Sequence, residues 1–120
     1  MTDFWQQLDT LFDSSTIIID RPKGSAHPRY SDIIYPLDYG YLDNTTAGDG
    51  EGIDIWIGSL SESKAIMATV ATVDLFKRDV ELKMLINCTE AEIQIILEFY
   101  YANQMGVQLL RRGNPAEPAT

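Results

Sequence analysis

Apolar residues recur at three- and four-residue spacing near both ends of this 120-residue chain. This period is typical of an amphipathic helix and predicts one helix over residues 3–13 and another over residues 90–103. Thr89 and Glu92 predict a capping box at the start of the second helix, because each side chain can accept a free backbone N–H group there.

Shorter apolar and β-branched runs lie between the two helices and predict β-strands. The predicted strands cover residues 16–20, 33–37, 53–58, 65–73 and 79–86. Residues 107–110 are either a last strand or a short return against the core. Strands with two helices predict one α+β, mainly β domain over residues 1–111, followed by a disordered tail over residues 112–120.

Composition and charge limit which binding partners and which cellular compartment are expected. The net charge of −9 argues against a nucleic-acid partner and against an anionic membrane surface. Cys88 is the single cysteine, which predicts a reducing compartment because no second cysteine can form a disulfide with it. The sequence has neither a signal-peptide pattern nor an apolar run of membrane-spanning length, so we expect a cytoplasmic protein.

The stretch from Tyr30 to Ser63 holds seven acidic residues and no basic residue. Like charges at this density repel one another and disfavour folding unless a cation relieves them. Five carboxylates, in this stretch and beyond it, stand at predicted turns and strand ends. The candidate metal-binding residues are therefore Asp49, Glu51, Asp54, Asp74 and Asp79. Oxygen donors of this kind suit Mg²⁺, or Mn²⁺ as a substitute, although ordinary surface turns explain the same spacing. An EF-hand loop is excluded, because Thr45 and Ala47 occupy two of its ligand positions.

Several motifs occur together in this part of the chain. They are Tyr35-Pro36-x-x-Tyr39-Gly40-Tyr41, the segment DGEGID at residues 49–54, the pair Asp74 and Asp79, and EFYY at residues 98–101. Over residues 16–110 they resemble the soluble family I inorganic pyrophosphatases. The resemblance implies a small five-stranded OB-like barrel with an N-terminal and a C-terminal helix packed outside. It also implies Mg²⁺-dependent attack of an activated water on pyrophosphate or a related phosphoanhydride.

The same resemblance implies a role for each matching residue. The implied metal ligands are Asp20, Asp49, Asp54, Asp74 and Asp79. Glu51 matches the carboxylate that takes a proton from the attacking water. Tyr39 and Tyr100 match tyrosines that hydrogen-bond phosphate.

The chain departs from the family pattern in the substrate half of the site. Glu81 and Tyr101 stand where the family has phosphate-binding lysines. The basic segment 21–29 is the expected replacement, with Lys23 and Arg29 as substrate contacts. Further candidates are Lys77, Arg78 and Lys83. Charged hydrogen bonds to phosphate are strong, so losing several of them predicts weak binding of the leaving phosphate.

Two functional hypotheses therefore stay open, beside a plain acidic interaction module. The first is an inorganic diphosphatase-like hydrolase. The second is a catalytically weak or inactive relative that binds divalent metal and phosphate in a regulatory role. For either hypothesis we expect a small-molecule phosphoanhydride ligand and a homo-oligomer.

Overall fold

The computed structural model describes residues 3–61 and 65–113 of the chain. Two helices and six strands occur within these residues. They are α1 (Phe4–Asp13), β1 (Ile17–Arg21), β2 (Asp38–Leu42), β3 (Ile53–Ile57), β4 (Ala68–Asp74), β5 (Asp79–Ile86), α2 (Glu90–Ala102) and β6 (Gly106–Arg111). Both predicted helices are confirmed, and the segment left open at residues 107–110 is a strand.

The strands form one mixed sheet in the order β1-β2-β3-β5-β4-β6. All neighbouring strands are antiparallel except β3 and β5, which run parallel. The prediction of an α+β, mainly β fold with two helices is confirmed. The implied five-stranded barrel is not confirmed, because the described strands make an open six-stranded sheet whose edge strands are β1 and β6.

The strand predicted over residues 33–37 is wrong, because β2 begins only at Asp38. Pro36 has no N–H group to donate to a neighbouring strand, which disfavours a strand interior there. The segment instead carries one isolated bridge, between Ala26 and Ile34, while Tyr35 and Leu37 are buried in the core. The alternation of apolar residues over 33–37 therefore comes from a loop whose side chains pack into the core, and not from a strand.

Each helix covers one face of the sheet. The α1 side is a cluster of Leu8, Leu42, Ile55, Ile66, Met84 and Ile86. The α2 side is a larger cluster that contains Tyr35, Leu37, Trp56, Ala68, Val70, Leu85, Ile93, Ile96 and Tyr100. Since side chains alternate along a strand, β3 and β5 contribute to both clusters. Polar side chains on the α2 face of these strands therefore emerge beside this second cluster.

Both helices begin with a capping box. The predicted pair of Thr89 and Glu92 is confirmed at α2, and Asp3 and Gln6 form a second box at α1. The Glu92 carboxylate also accepts the backbone N–H of Ser59, which ties the start of α2 to the chain after β3. No helix within the described residues is long and apolar enough to cross a membrane.

The predicted tail begins at Arg112, which is held against the rest of the fold. Its Nη1 lies 2.7 Å from Asp9 Oδ2, and its backbone N–H donates to the Met67 carbonyl oxygen. Residues 114–120 lie outside the described residues, so disorder in that part of the chain stays a prediction.

Candidate active site

A cleft of about 870 Å³ opens on the α2 face of the sheet, and seven carboxylates line it. They are Asp20, Asp49, Glu51, Asp54, Asp74, Asp79 and Glu81. Among the described residues of its lining, only three side chains are Lys or Arg: Arg21, Lys77 and Lys83. The cleft therefore has an excess of negative charge, which favours the binding of cations.

Strand register brings distant carboxylates together here. The parallel pairing of β3 with β5 sets Ile55 opposite Met84, so Asp54 and Lys83, one residue earlier on each strand, are neighbours. The antiparallel pairing of β4 with β5 sets Asp74 opposite Asp79 at the turn end of the hairpin. Residues far apart in sequence thus project from adjacent strands into one cleft.

Lys83 lies within this acidic group and is only 6% exposed. Its Nζ is 3.0 Å from Asp54 Oδ2 and 3.0 Å from Glu81 Oε2. It also donates to the Tyr39 hydroxyl oxygen at 2.8 Å. Burial alone lowers the pKa of Lys83, but attraction to Tyr100, Tyr39 and Asp54 outweighs it, and the net pKa lies well above the ordinary value. The ammonium group is therefore charged at neutral pH.

Asp49 and Glu81 interact directly in the lining of the cleft. The backbone N–H of Glu51 donates to Asp49 Oδ1 at 2.9 Å, and this bond, followed by one from Glu81, lowers the pKa of Asp49. Burial raises the pKa of Glu81 in spite of Lys83, and the bond to Asp49 raises it further. The two carboxyl groups therefore differ in acidity, and Glu81 is the one that takes up a proton more readily.

Asp74 supports the turn between β4 and β5. Its Oδ1 accepts the backbone N–H groups of Phe76 and Lys77, each at 3.0 Å. Arg78 completes the turn with a positive φ of 60°. These bonds fix the turn that carries Lys77, and they leave the second oxygen of Asp74 for the cleft.

Aromatic side chains form the inner wall. Trp56 Nε1 donates to the Tyr100 hydroxyl oxygen at 2.8 Å, and both side chains are buried. Burial raises the pKa of Tyr100 to about 12, and burial also raises the pKa of Tyr39 well above its ordinary value. Both phenols are therefore neutral at physiological pH and can donate a proton in a hydrogen bond.

The basic segment contributes less to the cleft than the sequence predicted. Lys23 and Arg29 are exposed and are not among the described residues that line it. The backbone N–H of Lys23 donates to Asp38, and the Arg29 guanidinium stacks over Tyr30. Arg21 does line the cleft and pairs with Asp20 at 3.3 Å.

The donors in the cleft fit Mg²⁺ in their chemistry, because this ion prefers carboxylate oxygens and water. Their arrangement is less complete. No three carboxylate, histidine or cysteine side chains within the described residues are grouped tightly enough to hold one metal ion. Two of the carboxylates in the cleft, Asp54 and Glu81, are instead engaged by Lys83.

The sequence did not single out Lys83 and Glu81 as a pair. Their alternation with Asp79 along β5 is a visible signal, since residues two apart share one face of a strand. The contact with Asp54 depends on the parallel pairing of β3 and β5, which no local pattern reveals.

Comparisons with known proteins found two partial likenesses, one in sequence and one in fold. No family model matches the chain. An inorganic pyrophosphatase from Campylobacter jejuni subsp. jejuni is 42% identical over 45 residues, which are 38% of this chain and 23% of that protein. The chain thus spans about a quarter of the length of the curated relative that it matches.

A solved structure extends the likeness to the fold. The crystal structure of an inorganic phosphatase from Anaplasma phagocytophilum has a TM-score of 0.51 to this chain at 16% identity. The superposition covers 79% of this chain and 81% of the other. In a segment of sequence and in overall fold, this chain is therefore similar to the inorganic pyrophosphatases, as a divergent pyrophosphatase-like protein.

Proposed function

We propose that the protein hydrolyses inorganic pyrophosphate, or a related phosphoanhydride, in a Mg²⁺-dependent reaction within this cleft. The observation that carries the proposal is the convergence of seven carboxylates from separate strands and loops on one aromatic-walled cleft. Carboxylates repel a phosphoanhydride, so its binding requires cations between the two. The 45-residue match to a protein named inorganic pyrophosphatase supports this reaction class.

Different carboxylates of the cleft are proposed to bind different cations. Asp49, Asp54 and Asp79 would hold Mg²⁺, and Asp74 and Asp20 would serve further ions, with Mn²⁺ as a substitute. When bound, the ion supplies the positive charge that the substrate requires and lowers the pKa of water towards neutrality. A cation bound beside Asp49 and Glu81 would favour the ionised form of both carboxyl groups, including Glu81, whose pKa burial raises.

Glu51 is the proposed general base. It is exposed, lines the cleft and follows Asp49, whose carboxylate fixes the Glu51 backbone. The water oxygen bonds to phosphorus, the bridging P–O bond breaks, and the proton of the water passes to Glu51. A general base of this kind contributes roughly 10²–10⁴-fold in rate.

Phosphate contacts come from the neutral phenols and from the cations at the mouth. Tyr39 and Tyr100 are proposed to donate hydrogen bonds to phosphate oxygens. We favour Arg21 and Lys77 over Lys23 as charged contacts, because the first two line the cleft. Arg29, like Lys23, is proposed only as an outer contact.

A second candidate function is binding of metal and phosphate with little or no turnover. The observation that favours it is the engagement of Asp54 and Glu81 by the Lys83 ammonium. Asp54 is then less available to bridge two metal ions. In two-metal sites a pair of ions stabilises both the attacking and the leaving oxygen of the displacement, so a weakened bridge disfavours turnover.

The deciding experiment measures phosphate release from pyrophosphate and from nucleoside di- and triphosphates, with Mg²⁺, Mn²⁺ or chelator. We expect Mg²⁺-dependent release from at least one substrate. Asp79→Asn should abolish most of it, whereas Asp43→Asn should not. The control removes the same charge from an exposed residue that is not among the described residues lining the cleft.

The melting temperature separates the two candidates. A cation that binds only the folded state at tenfold excess over its Kd stabilises by about 1.4 kcal/mol. Stabilisation by Mg²⁺ and phosphate without release from any substrate supports the binding protein. Neither release nor stabilisation overturns both candidates.

We further propose that the protein acts in the cytoplasm. Its single cysteine is a free thiol, Cys88, which suits a reducing compartment. The expected homo-oligomer stays a prediction, and light scattering at micromolar concentration measures it directly.

A further inference from the structure

We infer that the Lys83 ammonium takes the place of one divalent cation in this cleft and neutralises Asp54 and Glu81 from within the fold. This inference rests on the proposed function, since it concerns how many ions the proposed site holds. The motivating contacts join three separate strands: Nζ lies 2.8–3.0 Å from oxygens of Tyr39 on β2, Asp54 on β3 and Glu81 on β5.

These contacts use the full donor capacity of the ammonium group. A lysine has three N–H donors and no acceptor. Three oxygen partners therefore leave no donor for a phosphate oxygen, unless one of the partners gives way. Lys83 is thus a counter-ion of the carboxylates in this arrangement, and Arg21 and Lys77 are the cations with donors to offer a substrate.

The same position excludes a metal ion from Asp54. Mg²⁺ binds carboxylate oxygen at about 2.1 Å. Because Nζ is 3.0 Å from Asp54 Oδ2, an ion on that oxygen would lie within roughly 5 Å of the ammonium. Repulsion between single and double positive charges at this distance weakens binding by more than ~100-fold, even at an effective dielectric constant of about 20. Among the ligands proposed above, Asp54 is then the one that holds no ion in the wild type, and bound ions are expected on Asp49, Asp74 and Asp79.

The structure also indicates that the ammonium is a fixed component of the cleft. Lys83 is buried among the strands, and its neighbours Met84 and Leu85 are buried on opposite faces of the sheet. Removal of the ammonium would leave Asp54 and Glu81 without their cation, and ionised carboxylates in that position would attract a metal ion.

The test counts bound Mn²⁺ by electron paramagnetic resonance, with calorimetry for the affinity. Lys83→Gln should gain one Mn²⁺ relative to the wild type, or bind its Mn²⁺ at least ~100-fold more tightly. Lys83→Arg, which keeps the charge, should behave as the wild type. Lys77→Gln removes the same charge from an exposed residue of the same cleft, and it should change affinity less than about threefold because solvent screens that charge.

A double variant assigns the gained ion to its ligand. Adding Asp54→Asn to Lys83→Gln should remove the gain. If Lys83→Gln folds poorly, Lys83→Gln with Glu81→Gln removes one positive and one negative charge together and keeps the balance of the cluster. This second double variant should also gain an ion at Asp54.

Equal Mn²⁺ count and affinity in the wild type, in Lys83→Gln and in the balanced double variant would overturn the inference. That result leaves the proposed hydrolysis standing if the wild type still releases phosphate. Conversely, a gained ion in Lys83→Gln supports the inference even where the wild type fails to turn over any phosphoanhydride.

Discussion

Replacing Tyr100 by Phe removes one oxygen atom from the inner wall of the cleft and keeps the ring that packs there. That oxygen accepts the indole N–H of Trp56 at 2.8 Å. Trp56 is 0% exposed and Tyr100 is 3% exposed, so water cannot readily replace the lost acceptor. The variant therefore leaves a buried donor unsatisfied, while the edge-to-face contact of the two rings persists.

The magnitude follows from that single loss. An unsatisfied buried hydrogen-bonding group costs about 1–3 kcal/mol. For a chain of this size each kcal/mol lowers the melting temperature by about 3–5 °C, so Tyr100→Phe should melt about 3–15 °C lower. The packing term is small, because the ring and its apolar contacts are unchanged.

Urea denaturation followed by far-ultraviolet circular dichroism measures the free energy of unfolding. The matched control is Tyr101→Phe, which makes the same chemical change at the next residue. Tyr101 is 62% exposed, so the control should differ from the wild type by less than about 0.5 kcal/mol. Equal stability of the two variants would refute the reasoning that the buried oxygen satisfies Trp56.

The same variant bears on the proposed contact with phosphate. A tyrosine hydroxyl accepts through its oxygen and has one O–H to donate. Calorimetry with pyrophosphate, well below the melting temperature, then reports on that donated bond separately. Lower anion affinity without any loss of stability would mean that the hydroxyl serves the ligand and not Trp56.

Three further predictions follow from other contacts. Gly40→Ala places a Cβ 1.9 Å from a backbone oxygen of β1 and should cost at least about 3 kcal/mol by urea denaturation, whereas Gly48→Ala meets nothing within 4 Å and should cost far less. Burial raises the pKa of the Cys88 thiol to about 12, so iodoacetamide should modify this thiol at pH 8.5 at least ~100-fold more slowly than free cysteine. The rate of modification should increase about tenfold per pH unit, and a rate that levels off near pH 9 would contradict this pKa. Arg112→Gln breaks the pair with Asp9 and should lower the free energy of unfolding by about 1 kcal/mol, less in high salt, and an unchanged value would count against that contact.

The periodicity of apolar residues was sufficient to predict the bounds of the regular helices and strands that produce it. The helical spacing and the capping box predicted α2 to within a residue, and the alternation of residues 79–86 predicted β5 with the bounds that it has. The same logic failed at residues 33–37, where Tyr35 and Leu37 are buried without forming a strand. Burial in a loop produces the same alternation as a strand, so sequence alone does not separate them.

Strand order could not be predicted in the same way. The parallel contact of β3 with β5 skips β4 in the chain, and β6 joins the sheet beyond β4. Such pairings depend on contacts between distant residues, which leave no periodic trace in either strand. The sequence could name the carboxylates of the cleft, but the position of Lys83 among them required the register of Ile55 with Met84.

The position of the buried cation also shows what composition leaves out of the picture of the site. The acidic stretch suggested that an external cation must relieve the repulsion, and residue 81, where the resemblance places a lysine, is a glutamate. Lys83 restores the positive charge on the same face of β5, about 7 Å further along the strand. The resemblance makes a lysine at residue 81 a phosphate contact, whereas Lys83 pairs with Asp54 of the protein itself. The positive charge on β5 is thus kept, but its partner is a carboxylate of the protein and not a bound phosphate. Counting charges along the chain does not distinguish a lysine that binds phosphate from one that pairs with a carboxylate.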